Sequence, residues 1–212
     1  MRGRFAALHR PLARHFRTRR LRRFAKTFAV GPSTKVLDLG GDEYYWRWLS
    51  PCPAVTIANL ESRDLNPRAM PWVQADGRSL PFADGAFDVV YCNSVIEHLA
   101  DAGSRAAMAR EIARVGRGYA VQTPNRRFPV EAHTLTPGFH FLPRNWQVRL
   151  ARNFTVWGWL QRPGREEARG FVENIRLLAE QELQRVFPDA TIERERFLGL
   201  TKSVTAVRKQ PG

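Results

Sequence analysis

The chain has 212 residues, 43% of them hydrophobic, with a formal net charge of +14, which suits one globular domain with a sizeable core. No apolar run approaches the roughly 20 residues that span a bilayer, and the N-terminus lacks the apolar core of a secretory signal, so we expect a cytoplasmic protein. The two cysteines, Cys52 and Cys92, match no metal-ligand spacing, and the sequence predicts no metal site. Cys92 lies in an apolar strand pattern that is typical of a buried thiol.

The positive charge is concentrated at the N-terminus. Residues 1–30 contain ten basic residues and no acid, which leaves only about +4 for the rest of the chain. Phenylalanines and leucines recur there at three- and four-residue steps, and this pattern indicates a basic amphipathic helix after Pro11. Such a helix can cover an edge of the domain, lie on anionic lipid or contact nucleic acid. We expect the covering role first and peripheral membrane contact second, with nucleic acid less favoured.

Strand and helix patterns alternate through the first 124 residues. Each predicted strand is short and apolar or β-branched and ends in polar residues or glycine. The alternation predicts a doubly wound α/β fold whose sheet is mostly parallel. The predicted strands are 35–39, 55–61, 72–77, 87–92 and 118–124, and the predicted helices are 44–49, 95–99 and 104–115.

The remainder of the chain has a different pattern. Residues 125–170 are rich in Pro, Trp and Phe, 173–187 have the period of a long amphipathic helix, and 190–197 with 200–207 predict a terminal antiparallel hairpin. We therefore divide the chain into an N-terminal helix at 1–30 and one domain at 31–212, with a substrate-side insertion at about 125–170. The aromatic insertion suits a lid over an apolar substrate, a packed helical cap or a membrane-facing surface.

One block identifies the kind of domain. Residues 76–99 read Asp-Gly-Arg-Ser-Leu-Pro-Phe-Ala-Asp-Gly-Ala-Phe-Asp-Val-Val-Tyr-Cys-Asn-Ser-Val-Ile-Glu-His-Leu. This block resembles the adenine-site loop, fourth strand and Glu-His element of class I S-adenosylmethionine-dependent methyltransferases, particularly the type 11 group. The resemblance covers roughly 34–124 and includes the closing hairpin. It implies a Rossmann-like methyltransferase fold, a seven-stranded sheet of order 3-2-1-4-5-7-6, and S-adenosylmethionine as cofactor.

The resemblance also implies a set of cofactor-binding residues. In the first glycine loop Gly40 matches the first glycine of the family pattern, Gly41 is extra, and Asp42 and Tyr44 stand where two further glycines are expected. At the end of the second strand, spacing favours Asn59 for the ribose, whereas a carboxylate that accepts from both hydroxyls favours Glu61. Asp76 is expected to accept from the adenine amino group, or else only to form a turn. The full predicted set is Asp38, Gly40, Gly41, Asn59, Glu61, Asp76, Gly77, Arg78 and Asn93.

Two short segments supply candidates for proton transfer to or from the methyl acceptor. His98, beside Glu97, follows the fourth strand, and residues 123–133 resemble a Thr-Pro-Asn…Pro-x-Glu-x-His pattern in some type 11 relatives. We predict His98, or Glu97 beside it, and His133 as proton acceptors, with Glu131 as partner of His133 or as a substrate contact. The alternatives are a stabilised helix start for Glu97 and His98 and a hydrogen-bonded structural loop for Glu131 and His133.

The sequence thus favours methyl transfer from S-adenosylmethionine to a small or lipid-like molecule. An RNA methyltransferase is the alternative suggested by the basic N-terminus, although the chain has no Asn/Asp-Pro-Pro-Tyr/Phe motif. A cofactor-binding scaffold without turnover is the alternative suggested by the altered glycine loop.

Overall fold

The structure is a computed structural model that describes residues 4–62 and 70–209, and the side chains within them except those of 4–10 and 12. In chain order its helices are α1 (Arg4–Thr27), α2 (Glu43–Trp46), α3 (Ala102–Val115), α4 (Arg144–Phe154), α5 (Val156–Gln161), α6 (Arg165–Glu173) and α7 (Glu180–Val186). Its strands are β1 (Lys35–Leu39), β2 (Ala54–Asn59), β3 (Trp72–Gln74), β4 (Phe87–Asn93), β5 (Gly116–Pro124), β6 (Val130–Glu131), β7 (Thr136–Pro137), β8 (Thr191–Phe197) and β9 (Leu200–Arg208). Single 3-10 turns occur at Ile96–His98 and Phe139–Phe141.

Seven strands form one sheet in the order β3-β2-β1-β4-β5-β9-β8, and β6 pairs only with β7. The first five strands are parallel, whereas β9 runs antiparallel to both β5 and β8. Numbered without the small β6–β7 pair, this is the predicted order 3-2-1-4-5-7-6. The doubly wound sheet and its terminal antiparallel hairpin are therefore confirmed, and the carboxyl ends of β1, β2, β4 and β5 lie at one edge.

Helix α1 packs against the sheet rather than standing apart from it. Phe16, Leu21 and Phe24 are buried, and the Phe24 ring contacts those of Trp46 and Tyr91. This packing supports the covering role of the basic helix. The prediction that the helix starts after Pro11 was wrong, because Pro11 lies inside it. The missing proline N–H removes one helical hydrogen bond, and burial of the apolar face stabilises the helix as a whole.

Several predicted boundaries differ from the structure. Of the helix expected at 173–187, only α7 (Glu180–Val186) forms, and α6 ends where it was expected to begin. The backbone between α6 and α7 runs beside the end of β5, where Leu178 pairs with Asn125 and accepts a hydrogen bond from the Arg126 amide. The expected third strand stops at Gln74, since Asp76 and Ser79 form a tight turn. The predicted helix at 95–99 is only a 3-10 turn, and that at 44–49 only α2. Cys92 is buried, as expected.

Residues 125–173 form a small unit beside the end of β5. Its helices α4, α5 and α6 share an apolar cluster of Phe139, Ala151, Trp157, Ala168 and Val172. The Trp157 and Phe171 rings stack with centroids 4.0 Å apart. Of the three predicted interpretations of this segment, its described residues favour a packed helical cap. Within the described ranges, no helix is both long enough and apolar enough to cross a membrane.

Candidate functional site

A cleft with a volume of about 230 Å³ lies at the carboxyl ends of β1, β2 and β4. It brings together the ends of three strands with the first loop and with helix α1. Six of the nine residues predicted to bind the cofactor line it, and Arg17, Tyr45, Trp46, Trp72 and Tyr91 line it as well. The six predicted residues are Asp38, Gly40, Gly41, Asn59, Glu61 and Asn93.

The first loop needs both of its glycines for steric reasons. Gly40 has a φ of +71°, and a Cβ there would lie 2.6 Å from Val95 Cγ2. A Cβ on Gly41 would lie 1.8 Å from Asp38 Oδ2. Asp42, at a position where the family pattern has glycine, accepts a hydrogen bond from the Tyr44 amide at 2.8 Å and so caps helix α2. The aspartate that replaces this glycine is therefore the N-cap of a helix that begins directly after the loop.

Asp38 is a buried carboxylate in the floor of the cleft. Its Oδ2 accepts a hydrogen bond of 2.7 Å from Trp46 Nε1. Burial raises the pKa of Asp38 to about 7, although the Trp46 bond and the Arg17 charge act in the opposite direction. The carboxylate thus fixes α2 against β1 and places a group that titrates near neutrality under the loop.

Two arginines of α1, which the sequence analysis did not single out, reach the site. The Arg17 guanidinium lies over the Tyr45 ring, 4.9 Å from its centroid. Arg20 donates from Nε to Asn93 Oδ1 and from Nη1 to Glu195 Oε2, both at 2.9 Å. Their three-residue spacing indicates only that both lie on one face of the helix. The sequence did not show which residues they contact, because these are far away along the chain.

Both ribose candidates border the cleft. Asn59 Nδ2 donates to the Gly41 carbonyl at 3.2 Å, which ties the end of β2 to the glycine loop. Glu61 is exposed, and its backbone carbonyl accepts from Trp72 Nε1 at 3.0 Å. The choice between Asn59 and Glu61 accordingly stays a prediction.

The three residues predicted for adenine lie in a turn next to the cleft and are not part of its lining. Arg78 donates to Asp76 from its backbone amide at 2.9 Å and from Nη2 at 2.6 Å. Gly77 faces Leu39 and Met108 of the core. Asp76 thus forms the turn that was named as its alternative role, and its adenine contact stays a prediction.

A second cavity, of about 330 Å³, lies at the ends of β5 and β9, and Arg17 lines both cavities. Its wall is largely apolar, with Phe16, Phe128, Val130, Leu135 and Phe197 among its residues. Lys202 also lines it, with Nζ 3.5 Å from the centroid of the Phe16 ring. Burial, together with the nearby charge of Arg20, lowers the pKa of Lys202 to about 8. The cavity therefore combines an apolar body with basic groups.

The predicted proton-transfer residues form one cluster beside this cavity. His133 lines the cavity, and its Nδ1 lies 2.8 Å from Glu131 Oε1. Glu131 also accepts from the backbone amides of His133 and Thr134. Burial acts to raise the pKa of Glu131, but the His133 imidazole and these amides outweigh it and hold that pKa at about 2. Burial likewise acts to lower the pKa of His133, and the Glu131 carboxylate raises it instead.

Glu97 and His98 complete the cluster. The His98 and His133 rings meet edge to face with centroids 5.4 Å apart. Glu97 is fully buried, its Oε2 accepts from Thr123 Oγ1 at 3.0 Å, and burial raises its pKa. The sequence analysis had named a stabilised helix start as the alternative role of Glu97, whereas the carboxylate points into the protein toward His133.

The architecture and the position of the cleft are those of the class I methyltransferase fold. In agreement, residues 23–119 match the family model described as a methyltransferase domain. The chain thus has the class I methyltransferase fold and is similar to a methyltransferase domain over these residues, in agreement with the resemblance found in its sequence. A comparison with curated proteins finds no match.

Solved structures are similar in fold at low sequence identity. A SAM-dependent methyltransferase from Archaeoglobus fulgidus has a TM-score of 0.57 at 13% identity over 92% of this chain and 94% of that one. A SAM-dependent methyltransferase from Methanosarcina mazei has 0.55 at 12% identity over 87% and 94%. The N-methyltransferase NodS from Bradyrhizobium japonicum has 0.54 at 15% identity over 95% and 98%. At these identities the similarity concerns the fold alone.

Proposed function

We propose that the chain transfers a methyl group from S-adenosylmethionine to a small amphiphilic molecule that carries an anionic group. One observation carries this proposal: a polar cleft at the glycine loop and a largely apolar cavity beside His133 lie next to each other, with Arg17 in the lining of both. Two adjacent compartments of different polarity suit two reactants of different chemistry that must meet end to end.

The residues of the cleft fit the groups of S-adenosylmethionine. Gly40 and Gly41 allow a ligand to approach the backbone closely. The Asn59 and Glu61 side chains contain oxygen acceptors suited to ribose hydroxyls, and the Arg17 guanidinium suits a carboxylate. We assign these residues, with Asp38 and Asn93, to the cofactor, and Asp76, Gly77 and Arg78 to the adenine end.

The acceptor cavity indicates the substrate class. Its apolar wall suits a hydrocarbon or aromatic body, and Lys202, Arg17 and Arg20 provide positive charge at its border. Arg20 is already paired with Glu195, but an uncharged acceptor would add no countercharge for Lys202, whereas a carboxylate or phosphate would neutralise it. The basic face of α1 additionally suits contact with an anionic membrane from which such an acceptor could be taken.

When bound, S-adenosylmethionine supplies a methyl on a positively charged sulfur, and its leaving group departs neutral. The chain itself then has to align the acceptor and remove a proton if the acceptor carries one. Glu131 holds the His133 ring through Nδ1, which orients Nε2 as the proton acceptor. His98, edge to face with His133, is the second candidate for this role.

Calorimetry with S-adenosylmethionine and S-adenosylhomocysteine tests the cofactor half of the proposal. We expect saturable binding to the full chain, and a loss of about 10- to 100-fold in affinity when the ribose contact is removed by either Asn59→Ala or Glu61→Ala. Lys35→Ala is the control, because Lys35 is exposed at the opposite end of β1. A folded protein that binds neither compound would overturn the proposal.

Methyl transfer from labelled S-adenosylmethionine tests the acceptor half. Acceptors are compared in pairs. One member is an amphiphilic hydroxyl or amine compound that carries a free carboxylate, and the other is the methyl ester of the same compound. We expect the carboxylate form to have at least a tenfold higher kcat/KM, and Lys202→Met to reduce this preference through KM. Cofactor binding without transfer to any acceptor would favour the non-catalytic scaffold. Transfer of the labelled methyl group to RNA would favour the RNA methyltransferase.

A further inference from the structure

Three side chains from two parts of the chain converge beside the acceptor cavity with metal-ligand chemistry. One donor atom from each of Glu97, His98 and His133 lies within 4.8 Å of the other two. Glu97 and His98 come from the 3-10 turn after β4, and His133 from the loop after β6. Ligands bound at about 2.1 Å to a common ion lie roughly 3–4 Å apart, so a contraction of about 1 Å brings these atoms to coordination distance.

A buried oxygen supplies the independent observation. Glu97 is 0% exposed, and among the residues that the structure describes its Oε1 has no hydrogen-bond partner. The nearest His133 atom, Nε2, is 3.9 Å from this oxygen, beyond hydrogen-bond distance. A buried carboxylate oxygen without a partner is costly, and a cation bound between Glu97 Oε1 and His133 Nε2 would neutralise it.

The surroundings orient the His133 imidazole as imidazoles are oriented around bound metals. Nδ1 of His133 is engaged by Glu131, which leaves Nε2 for coordination. A carboxylate behind a ligating histidine fixes its tautomer and raises its basicity. His98 is exposed, which provides an entry path to the otherwise buried group.

We propose that Glu97, His98 and His133 form a binding site for a divalent cation of the first transition row, oriented by Glu131 as a positioning residue. Two imidazoles and one carboxylate suit Zn²⁺, Fe²⁺, Co²⁺ or Mn²⁺ better than Mg²⁺ or Ca²⁺, which take oxygen ligands. Three protein ligands leave coordination positions open. The site departs from the expectation, drawn from sequence, that the chain has no metal site.

An ion at this place would have a consequence for catalysis, and this consequence rests on the proposed function. It would border the acceptor cavity, because His133 lines that cavity. A hydroxyl bound at an open position would lose its proton more readily, since a divalent cation lowers the pKa of a coordinated oxygen. His133 would then be a ligand, and the acceptor's proton would leave to solvent rather than to Nε2.

Cobalt binding tests the site without cofactor or acceptor, so its failure is distinct from failure of the proposed methyl transfer. The full chain is freed of metal with a chelator and titrated with Co²⁺, read by visible absorption and by calorimetry, and then with Zn²⁺ in competition. We expect one equivalent of Co²⁺ with ligand-field bands, displaced by Zn²⁺, and much weaker binding of Mg²⁺.

Variants assign the ligands. His98→Ala and His133→Ala should each weaken Co²⁺ binding by more than the roughly 10- to 100-fold typical of outer-shell changes, and Glu131→Gln should fall within that range. His15→Ala is the matched control, since His15 is an exposed histidine on α1. His98 is exposed, so its variant keeps the test valid even where a substitution of the partly buried His133 impairs folding. Absence of ligand-field bands, equal affinity in His98→Ala, or tighter binding of Mg²⁺ than of Co²⁺ would overturn the proposal.

Discussion

The two halves of the site are assembled in different ways. The cofactor half is built mainly from short loops after β1 and β2. Seven of the residues that line its cleft, among them Gly40, Gly41 and Trp46, come from the 22 positions between Asp38 and Asn59. The acceptor half is built from residues such as Phe16, His133, Phe197 and Lys202, which come from the N-terminal helix, the middle of the chain and the C-terminal hairpin. The cofactor half can therefore be recognised from residues that are close together in the sequence, whereas the acceptor half is assembled only when the chain folds.

The halves also differ in how charge is placed. In the cofactor half the buried charge is the acid Asp38, fixed by the neutral donor Trp46. In the acceptor half, Arg20 and Glu195 form an ion pair between α1 and β8, with only 13% and 9% of the side chains exposed. The pair joins the N-terminal helix to the C-terminal hairpin. The distributed half should therefore be the more sensitive to loss of a single charge.

The largest expected effect is that of Arg20→Met. Removing Arg20 leaves Glu195 buried with Ser203 as its remaining hydrogen-bond donor at 2.9 Å. An uncompensated buried charge lowers the free energy of unfolding by about 3–5 kcal/mol. Urea unfolding followed by circular dichroism measures this change.

A second ion pair between the same two elements is the matched control. Arg23 and Glu193 are also 2.9 Å apart, but 52% and 27% of their side chains are exposed. Arg23→Met should cost less than about 1 kcal/mol. The double variant Arg20→Met with Glu195→Met should recover much of the loss, because it removes both buried charges. Equal effects of Arg20→Met and Arg23→Met would contradict the role assigned to burial of the Arg20–Glu195 pair.

The same contrast explains how much could be predicted from sequence. The mostly parallel sheet was predictable because the alternation of apolar runs and helices is local, and the hairpin because its two strands are adjacent. The order of the strands came from the family resemblance and not from the alternation. The long helix expected at 173–187 failed because the pairing of Leu178 with Asn125 spans more than fifty residues. Periodicity contains no information on such a contact, so the break between α6 and α7 had no local signal.

The site residues show the same difference between local patterns and long-range contacts. Asp38, Gly40 and Gly41 were found from a loop motif, and the structure places them in the cleft. His98, His133 and Glu131 were found singly, from two short segments, but their convergence on buried Glu97 depends on the distance between the turn after β4 and the loop after β6. Arg17, Arg20 and Lys202 were not singled out, because a basic side chain in an Arg-rich helix or a hairpin is most often solvated.

Gly41→Ala tests the importance of the glycine loop in the cofactor half. A methyl group there would overlap Asp38 Oδ2, at 1.8 Å, so that Asp38 and its bond to Trp46 must shift. Overpacking of this kind typically costs about 1–3 kcal/mol of unfolding free energy. We also expect a loss of S-adenosylhomocysteine affinity, with no change in Co²⁺ binding, since the proposed ion lies in the other half.

Gly31→Ala is the control for this substitution. Gly31 lies in the turn before β1, its φ is outside the left-handed range, and a Cβ would meet nothing within 4 Å. Its variant should differ little from the wild type in stability and in both binding assays. Unchanged cofactor affinity in Gly41→Ala would show that the loop does not determine the cleft.

The smallest expected effect concerns the pH dependence of stability at Lys202. Its pKa is about 8 in the folded protein, against an ordinary value of 10.5. Between these values the unfolded chain binds a proton that the folded protein does not, so stability rises with pH from about 8 upward, and the cost of the buried charge is complete below about 8. Because part of the side chain remains open to solvent, we expect a cost of about 1–2 kcal/mol.

Lys202→Met should remove this dependence, while Lys35→Met, at an exposed lysine, should retain it. The quantity to compare is the difference in unfolding free energy between each variant and the wild type, measured from pH 7 to 9.5. This subtraction cancels titrations that all three proteins share, including those of the tyrosines and cysteines. Arg20 and Glu195 lie near Lys202 and act on its pKa in opposite directions, and both are present in all three proteins, so a difference that moves with pH reports the lysine itself. A flat difference for Lys202→Met would mean that the lysine is solvated, and the acceptor cavity would then lack the desolvated positive charge from which its preference for an anionic substrate is inferred.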